Sequence, residues 1–126
     1  MAKYNTFKNI FNTRGLKNSL TLAGKGIIYL FVYHRNMRLI FISGILVFLF
    51  GIYLKLKGIE LVALCITITL VFMAEIFNTA IELMMDALTE EYHVKIKLIK
   101  DIAAGVVLLA CLNALGVGYV LLLKKI

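Results

Sequence analysis

The chain of 126 residues has no proline and no tryptophan, two cysteines and seven acidic residues, none of them within residues 1–38. Without proline, no apolar run is interrupted by a residue that lacks a backbone donor. Cys65 and Cys111 lie in apolar runs, with no CxxC spacing and no histidine at ligand spacing. They read as buried packing thiols and say nothing of the redox compartment. A GxxxxGK[ST] phosphate loop is missing, so the Gly24-Lys25-Gly26 triplet reads as a flexible joint. The first 30 residues lack the apolar core and small-residue cleavage site of a signal peptide. No internal repeat, low-complexity tract or linker stands out.

What is present is grease. The chain is 62% hydrophobic, where soluble domains hold about 45–50%. Three apolar runs can be read: Leu39–Leu54, Leu61–Met85 and Ile102–Leu123. A spanning helix needs roughly 17–25 apolar residues. The first run is short, but Arg38 and Lys55 at its ends can snorkel. The expected fold is one all-α integral membrane domain over residues 1–126. Its spans fall at 39–57, 59–85 and 101–124. Before them, residues 6–33 place Leu16, Leu20, Ala23, Ile27, Leu30 and Phe31 at helical spacing among basic residues. That pattern predicts an amphipathic surface helix, bent or broken at its glycines.

The net charge of +7 is uneven. Seven Lys/Arg precede span 1 and three (Lys95, Lys97, Lys100) sit in the 86–101 loop, against two each in the 55–58 turn and the C-terminal tail. The N-terminus and the 86–101 loop are therefore expected in the cytoplasm. The basic charge points to anionic headgroups and phosphate ligands, not to nucleic acid.

The acids are costly where they stand. An ionisable group at bilayer depth is a functional hypothesis by default. At about 100° per residue, Glu75, Asn78, Glu82 and Asp86 share a stripe roughly 80° wide on one helix face. At a rise of 1.5 Å per residue, Glu82 lies about 10 Å and Asp86 about 16 Å along the helix from Glu75. The ladder suits a reaction between a water-soluble polyphosphate and a lipid headgroup. Interfacial carboxylates can hold Mg²⁺ on phosphate. A deeper, less solvated carboxylate can take a proton from a lipid alcohol. Asn78 can orient either partner. Asp101 reads as the N-cap of span 3, and Lys100 beside it as a positive charge for phosphate. Three spans leave little interior for such groups, so a homo-oligomer or a water-lined groove is expected.

Three segments carry a resemblance. They are Glu75-x-x-Asn78-Thr79-Ala80-Ile81-Glu82-x-x-x-Asp86, Glu91-Tyr92-His93 and Lys100-Asp101-x-Ala103-Ala104-Gly105, preceded by Ala23-x-x-Gly26 and Arg35-Asn36-Met37-Arg38. Together they resemble the signature of the prokaryotic diacylglycerol kinase/undecaprenol kinase family, from about residue 19 to the end. The resemblance implies a bacterial cell-membrane homotrimer with active sites between subunits, phosphorylating a lipid alcohol from MgATP. It implies Glu75 as catalytic base, with Asn78 and Asp86 in the same site. Glu82 becomes a metal ligand facing ATP. Glu91, Tyr92 and His93 lie near the nucleotide, and Lys100 and Asp101 on the phosphate side. The chain departs from the family at His34, where a second metal-binding Glu is usual. Imidazole is a poor Mg²⁺ ligand, so His34 is expected to reach phosphate, or the metal through water. Undecaprenol is the expected acceptor and diacylglycerol the alternative. A non-enzymatic ion-binding membrane protein and a weakened homologue are the rival readings.

Overall fold

The computed structural model describes residues 13–88 and 93–126, with side chains from residue 15 onward. The elements are α1 (Thr13–Tyr33), α2 (Arg35–Tyr53), α3 (Ile59–Leu88), α4 (Val94–Leu122) and a closing 3₁₀ turn, Leu123–Lys125. The first unit ends at Arg35 and the second runs from Asn36 to Ile126.

α1 runs unbroken through Gly24-Lys25-Gly26, so the expected break is not there. A glycine inside a helix costs about 1 kcal/mol, but only proline removes a hydrogen bond and clashes with the preceding turn. A Cβ added at Gly24 or Gly26 would meet nothing within 4 Å. Ser19 and Thr21 donate back to the carbonyls of Gly15 and Lys17 at 2.7 and 3.0 Å, which keeps both hydroxyls satisfied within the helix. Leu16, Leu20 and Ile27 are exposed, as are Leu22, Ile28 and Val32. Residues 6–12 of the expected surface helix lie outside the described residues. His34 interrupts the helix for one residue, its N–H still donating to Leu30 O at 2.9 Å.

α2, α3 and α4 are each long and apolar enough to cross a membrane. The chain is thus a three-span membrane protein. Most of its large apolar side chains are exposed, among them Leu46, Ile66 and Leu109. In lipid this is no defect, because acyl chains solvate them and only the backbone must be satisfied internally. α2 ends at a tight turn. Leu56 N–H donates to Gly51 O at 3.1 Å and Lys55 N–H to Ile52 O at 3.0 Å. Lys55 and Gly58 take positive φ of 64° and 59°. Glycine adopts that conformation freely, and lysine only at some cost. Gly51 admits Leu56 of the turn and Leu64 of α3: a Cβ there would stand 2.6 Å from Leu64 Cδ2 and 3.1 Å from Leu56 Cδ1. Further along, a Cβ at Gly44 would stand 2.9 Å from Ile68 Cγ2, and Phe41 packs on Phe72 with centroids 5.8 Å apart. Glycine therefore sets how closely α2 approaches α3.

α3 and α4 run antiparallel and are clamped at both ends. Lys100 Nζ meets Asp86 Oδ1 at 2.7 Å, and Lys125 Nζ meets Glu60 Oε2 at 2.8 Å. Twenty-six residues of α3 separate the two acids, about 39 Å at 1.5 Å per residue. That distance is close to a bilayer's hydrocarbon core plus part of its headgroups. The ion pairs thus give a depth scale for everything between them.

α4 begins at Val94, with His93 as its N-cap: His93 Nδ1 accepts the Lys95 N–H at 3.2 Å. The expectation that Asp101 caps the helix is corrected. Asp101 sits in the third turn, where backbone N–H groups are already used inside the helix, so it offers no open helix end to an anion. The helix starts earlier because Lys95, Lys97 and Lys100 tolerate water on its first turns, outside the apolar run.

Candidate functional site

The acid stripe lies on one face of α3, a helix unbroken from Ile59 to Leu88. Its environment grades along the helix. Glu75 is buried at 7% exposure, Asn78 is half-buried, and Glu82 and Asp86 are exposed. Leu64, Ala74, Thr79 and Met85 are buried on the same side of α3. Across from it on α4 the buried residue is Ala103, whose small side chain leaves room beside the polar groups. Sequence periodicity thus places the four groups correctly with respect to one another, and the fold turns their inner end away from water.

Asn78 Nδ2 donates to Glu82 Oε1 at 3.4 Å, a long bond one turn apart. Asn78 Oδ1 is buried and accepts no hydrogen bond from any described residue. A buried acceptor without a donor is unfavourable and uncommon in native structures. It marks a position where a donor on another molecule fits.

The loop end carries two separate ion pairs. Lys100 reaches across to Asp86 on α3, while Asp101 accepts from Lys97 Nζ at 2.7 Å within α4. Lys100 and Asp101, neighbours in sequence, therefore serve different partners, and Lys100 joins the stripe on α3. Lys97 is a residue that sequence reasoning passed over, although its i,i+4 spacing to Asp101 was visible. His93 has a local task as the cap of α4. Glu91 and Tyr92 lie outside the described residues. His34, in the first unit, stands with its ring centroid 6.0 Å from that of Tyr29.

Among the described residues, no group of three or more His, Cys, Asp or Glu is arranged to hold a metal ion. The stripe offers Glu82, exposed and with one oxygen engaged by Asn78. A single interfacial carboxylate does not fit a resident metal held by protein alone. It fits Mg²⁺ that arrives with its remaining ligands on polyphosphate and water.

Residues 21–122 match the family described as prokaryotic diacylglycerol kinase. A protein of Synechocystis named diacylglycerol kinase is 39% identical over 109 residues, which cover 86% of this chain and 62% of that protein. A Bacillus subtilis protein named undecaprenol kinase is 31% identical over 108 residues, covering 86% of this chain and 88% of that protein. The chain thus spans less than two thirds of the first relative and most of the second. With the match running from the middle of α1 to the end of α4, the chain belongs to the prokaryotic diacylglycerol kinase family.

Proposed function

We propose that this chain transfers the γ-phosphoryl group of MgATP to the primary hydroxyl of a membrane lipid alcohol. The observation that carries the reading is the graded stripe on α3: buried Glu75, half-buried Asn78, exposed Glu82 and Asp86, with Lys100 drawn onto its outer end. Few roles other than chemistry at the membrane surface require a carboxylate at 7% exposure in a helix this apolar. The names of the two relatives, both lipid kinases, support the same reaction.

ATP approaches the water-facing end, carrying Mg²⁺ as part of the substrate. Glu82 is the protein ligand offered to that ion, and the ion neutralises charge on the phosphates. Lys100 exchanges its contact with Asp86 for a phosphate oxygen, adding charge where the transferred group's negative charge spreads. The lipid arrives laterally from the bilayer. Its hydroxyl donates to one of the two acceptors at that depth, Glu75 or Asn78 Oδ1. Glu75 holds or takes the proton as the oxygen attacks the γ-phosphorus in line, while the bond from that phosphorus to the bridging oxygen breaks and ADP leaves. Such transfer asks mainly for positioning and charge neutralisation, which side chains on one rigid helix supply.

Undecaprenol is the acceptor we favour, because the Arg35-Asn36-Met37-Arg38 element and the Lys100–Gly105 run look like that branch of the family. Diacylglycerol presents the same primary hydroxyl and is the second candidate. We further propose a homotrimer in the bacterial cell membrane. In it α1 lies as an amphipathic helix on the cytoplasmic surface, the α3–α4 loop is cytoplasmic, and Glu91, Tyr92, His93 and Asp101 serve the nucleotide. His34 serves phosphate or metal-bound water there.

The test uses purified full-length protein, labelled ATP, undecaprenol and diacylglycerol in parallel, and Mg²⁺ or Mn²⁺. Label in the lipid extract supports the reading, and the better acceptor identifies the branch. An absence of label in both lipids with both metals overturns it in favour of an ion-binding or inactive relative.

A further inference from the structure

Four lysines converge at the end of the three spans that lies away from the acid stripe. Lys55 and Lys57 stand in the turn between α2 and α3, and Lys124 and Lys125 in the 3₁₀ turn that closes α4. The Lys125–Glu60 pair at 2.8 Å joins that closing turn to the first turn of α3, three residues beyond Lys57. It engages the one acidic side chain that the described residues place at this end. Lys55, Lys57 and Lys124 are exposed and make no ion pair with a described residue. Three unbalanced positive charges are thus held together, although nothing in the packing needs them.

Lys55 holds its place against the preference of its backbone. Its φ of 64° is left-handed, a conformation that glycine adopts freely and lysine only at a cost. Gly58, in the same turn, meets the same demand with a glycine. The geometry of the turn therefore gives no reason for a lysine at 55, and its charge is the property left to explain it. Leu56 anchors the turn: it is buried beside Gly51, while the lysines on either side of it are exposed. Around the lysines the surface is apolar, with Tyr53, Ile59 and Leu123 all exposed. Glu60 marks one end of the hairpin's membrane-spanning length, so this rim lies at headgroup depth. Tyrosine is a side chain suited to that boundary. Ammonium groups above acyl-facing side chains fit a ligand with an anionic phosphate and a hydrocarbon tail. A soluble anion uses the charge alone, whereas a phospholipid uses both and is already concentrated at this depth.

We propose that Lys55, Lys57 and Lys124 form a docking surface for the phosphate of an anionic phospholipid, at the end of the spans opposite the acid stripe. It rests neither on the transfer reaction nor on an assembly. The chain has no tryptophan, so Tyr53→Trp supplies a single reporter beside these lysines. The full-length Tyr53→Trp chain is placed in bilayers in which acyl-brominated phosphatidylglycerol or phosphatidylcholine replaces the unbrominated lipid. Bromine quenches tryptophan on contact, so quenching gives the relative affinity of the two lipids at this end alone. A preference of about fivefold or more for phosphatidylglycerol is expected, the scale of one lysine at a membrane surface, and added salt should lower it. Changing Lys55, Lys57 and Lys124 together to Gln should bring the ratio close to one. Lys55→Gly relieves the backbone, so it should unfold at or above the midpoint of its parent while its preference falls about two- to fivefold. That variant and the salt series decide the matter if the triple variant folds poorly. Equal quenching by the two lipids in the parent chain overturns the proposal, as does a preference that survives the triple change, Lys55→Gly or high salt. A preference erased by inorganic phosphate, but not by chloride at equal ionic strength, overturns the lipid in favour of a soluble anion.

Discussion

Lys100 on α4 and Asp86 on α3 are joined at 2.7 Å across the helical hairpin, fourteen residues apart in sequence. The pair fixes the register of the two longest helices, and it brings a cation of the loop end onto the acid stripe. Its side chains remain 38% and 65% exposed, so the contact is replaceable by a ligand.

Such an exposed pair contributes about 0–1 kcal/mol to stability. Lys100→Met is expected to leave the unfolding transition in detergent nearly unchanged but to raise KM for ATP at least tenfold. The exchanged variant, Asp86→Lys with Lys100→Asp, restores the pair without restoring ATP affinity. A purely structural pair would behave oppositely, with the exchange recovering activity, and the double-mutant cycle separates the two.

In the proposed reaction Glu82 is the carboxylate offered to the metal on ATP. Glu82→Gln is expected to lower kcat about a hundredfold or more, the scale of losing one charge-stabilising group, with assembly intact. Glu82→Asp retains part of the activity and shifts the divalent-ion preference. Steady-state kinetics across a Mg²⁺ and Mn²⁺ series reads both.

Asn78 Oδ1 is a buried acceptor with no donor among the described residues. Asn78→Leu removes it, and the expected outcome is a higher KM for lipid and a lower kcat, with KM for ATP changed less than twofold. Varying each substrate in turn against the purified variant decides it.

Packing between α2 and α3 rests on glycine. With Ile68 Cγ2 only 2.9 Å from where a Cβ would stand, Gly44→Val overfills the contact. A loss of about 1–3 kcal/mol is expected, read as a lower unfolding midpoint. Gly44→Ala with Ile68→Ala should recover most of it, because the branch methyl is the obstacle.

Much of this was legible in the sequence, for reasons that are local. The three apolar runs and the Glu75–Asp86 stripe follow from composition and the 3.6-residue period, which tertiary contacts do not alter within a single helix. Asp101 misled for an equally local reason. A carboxylate before an apolar run is a strong start signal, yet the true cap is His93, eight residues earlier, because lysine side chains let α4 extend past the membrane into water. Gly24 and Gly26 weaken α1 without stopping it. The partner of Lys100 could not be read from spacing, since it depends on the register of two antiparallel helices.

The most direct measurement compares wild type with Glu75→Gln, a change that keeps shape and removes the buried carboxyl group, for transfer of label from ATP to undecaprenol and diacylglycerol. Wild type should label at least one lipid, and Glu75→Gln should lose about a hundredfold or more in kcat, the scale of losing a positioned base, with helix content and assembly unchanged. Undiminished transfer by Glu75→Gln, or none by wild type, would contradict a phosphoryl-transfer site built on the stripe of α3.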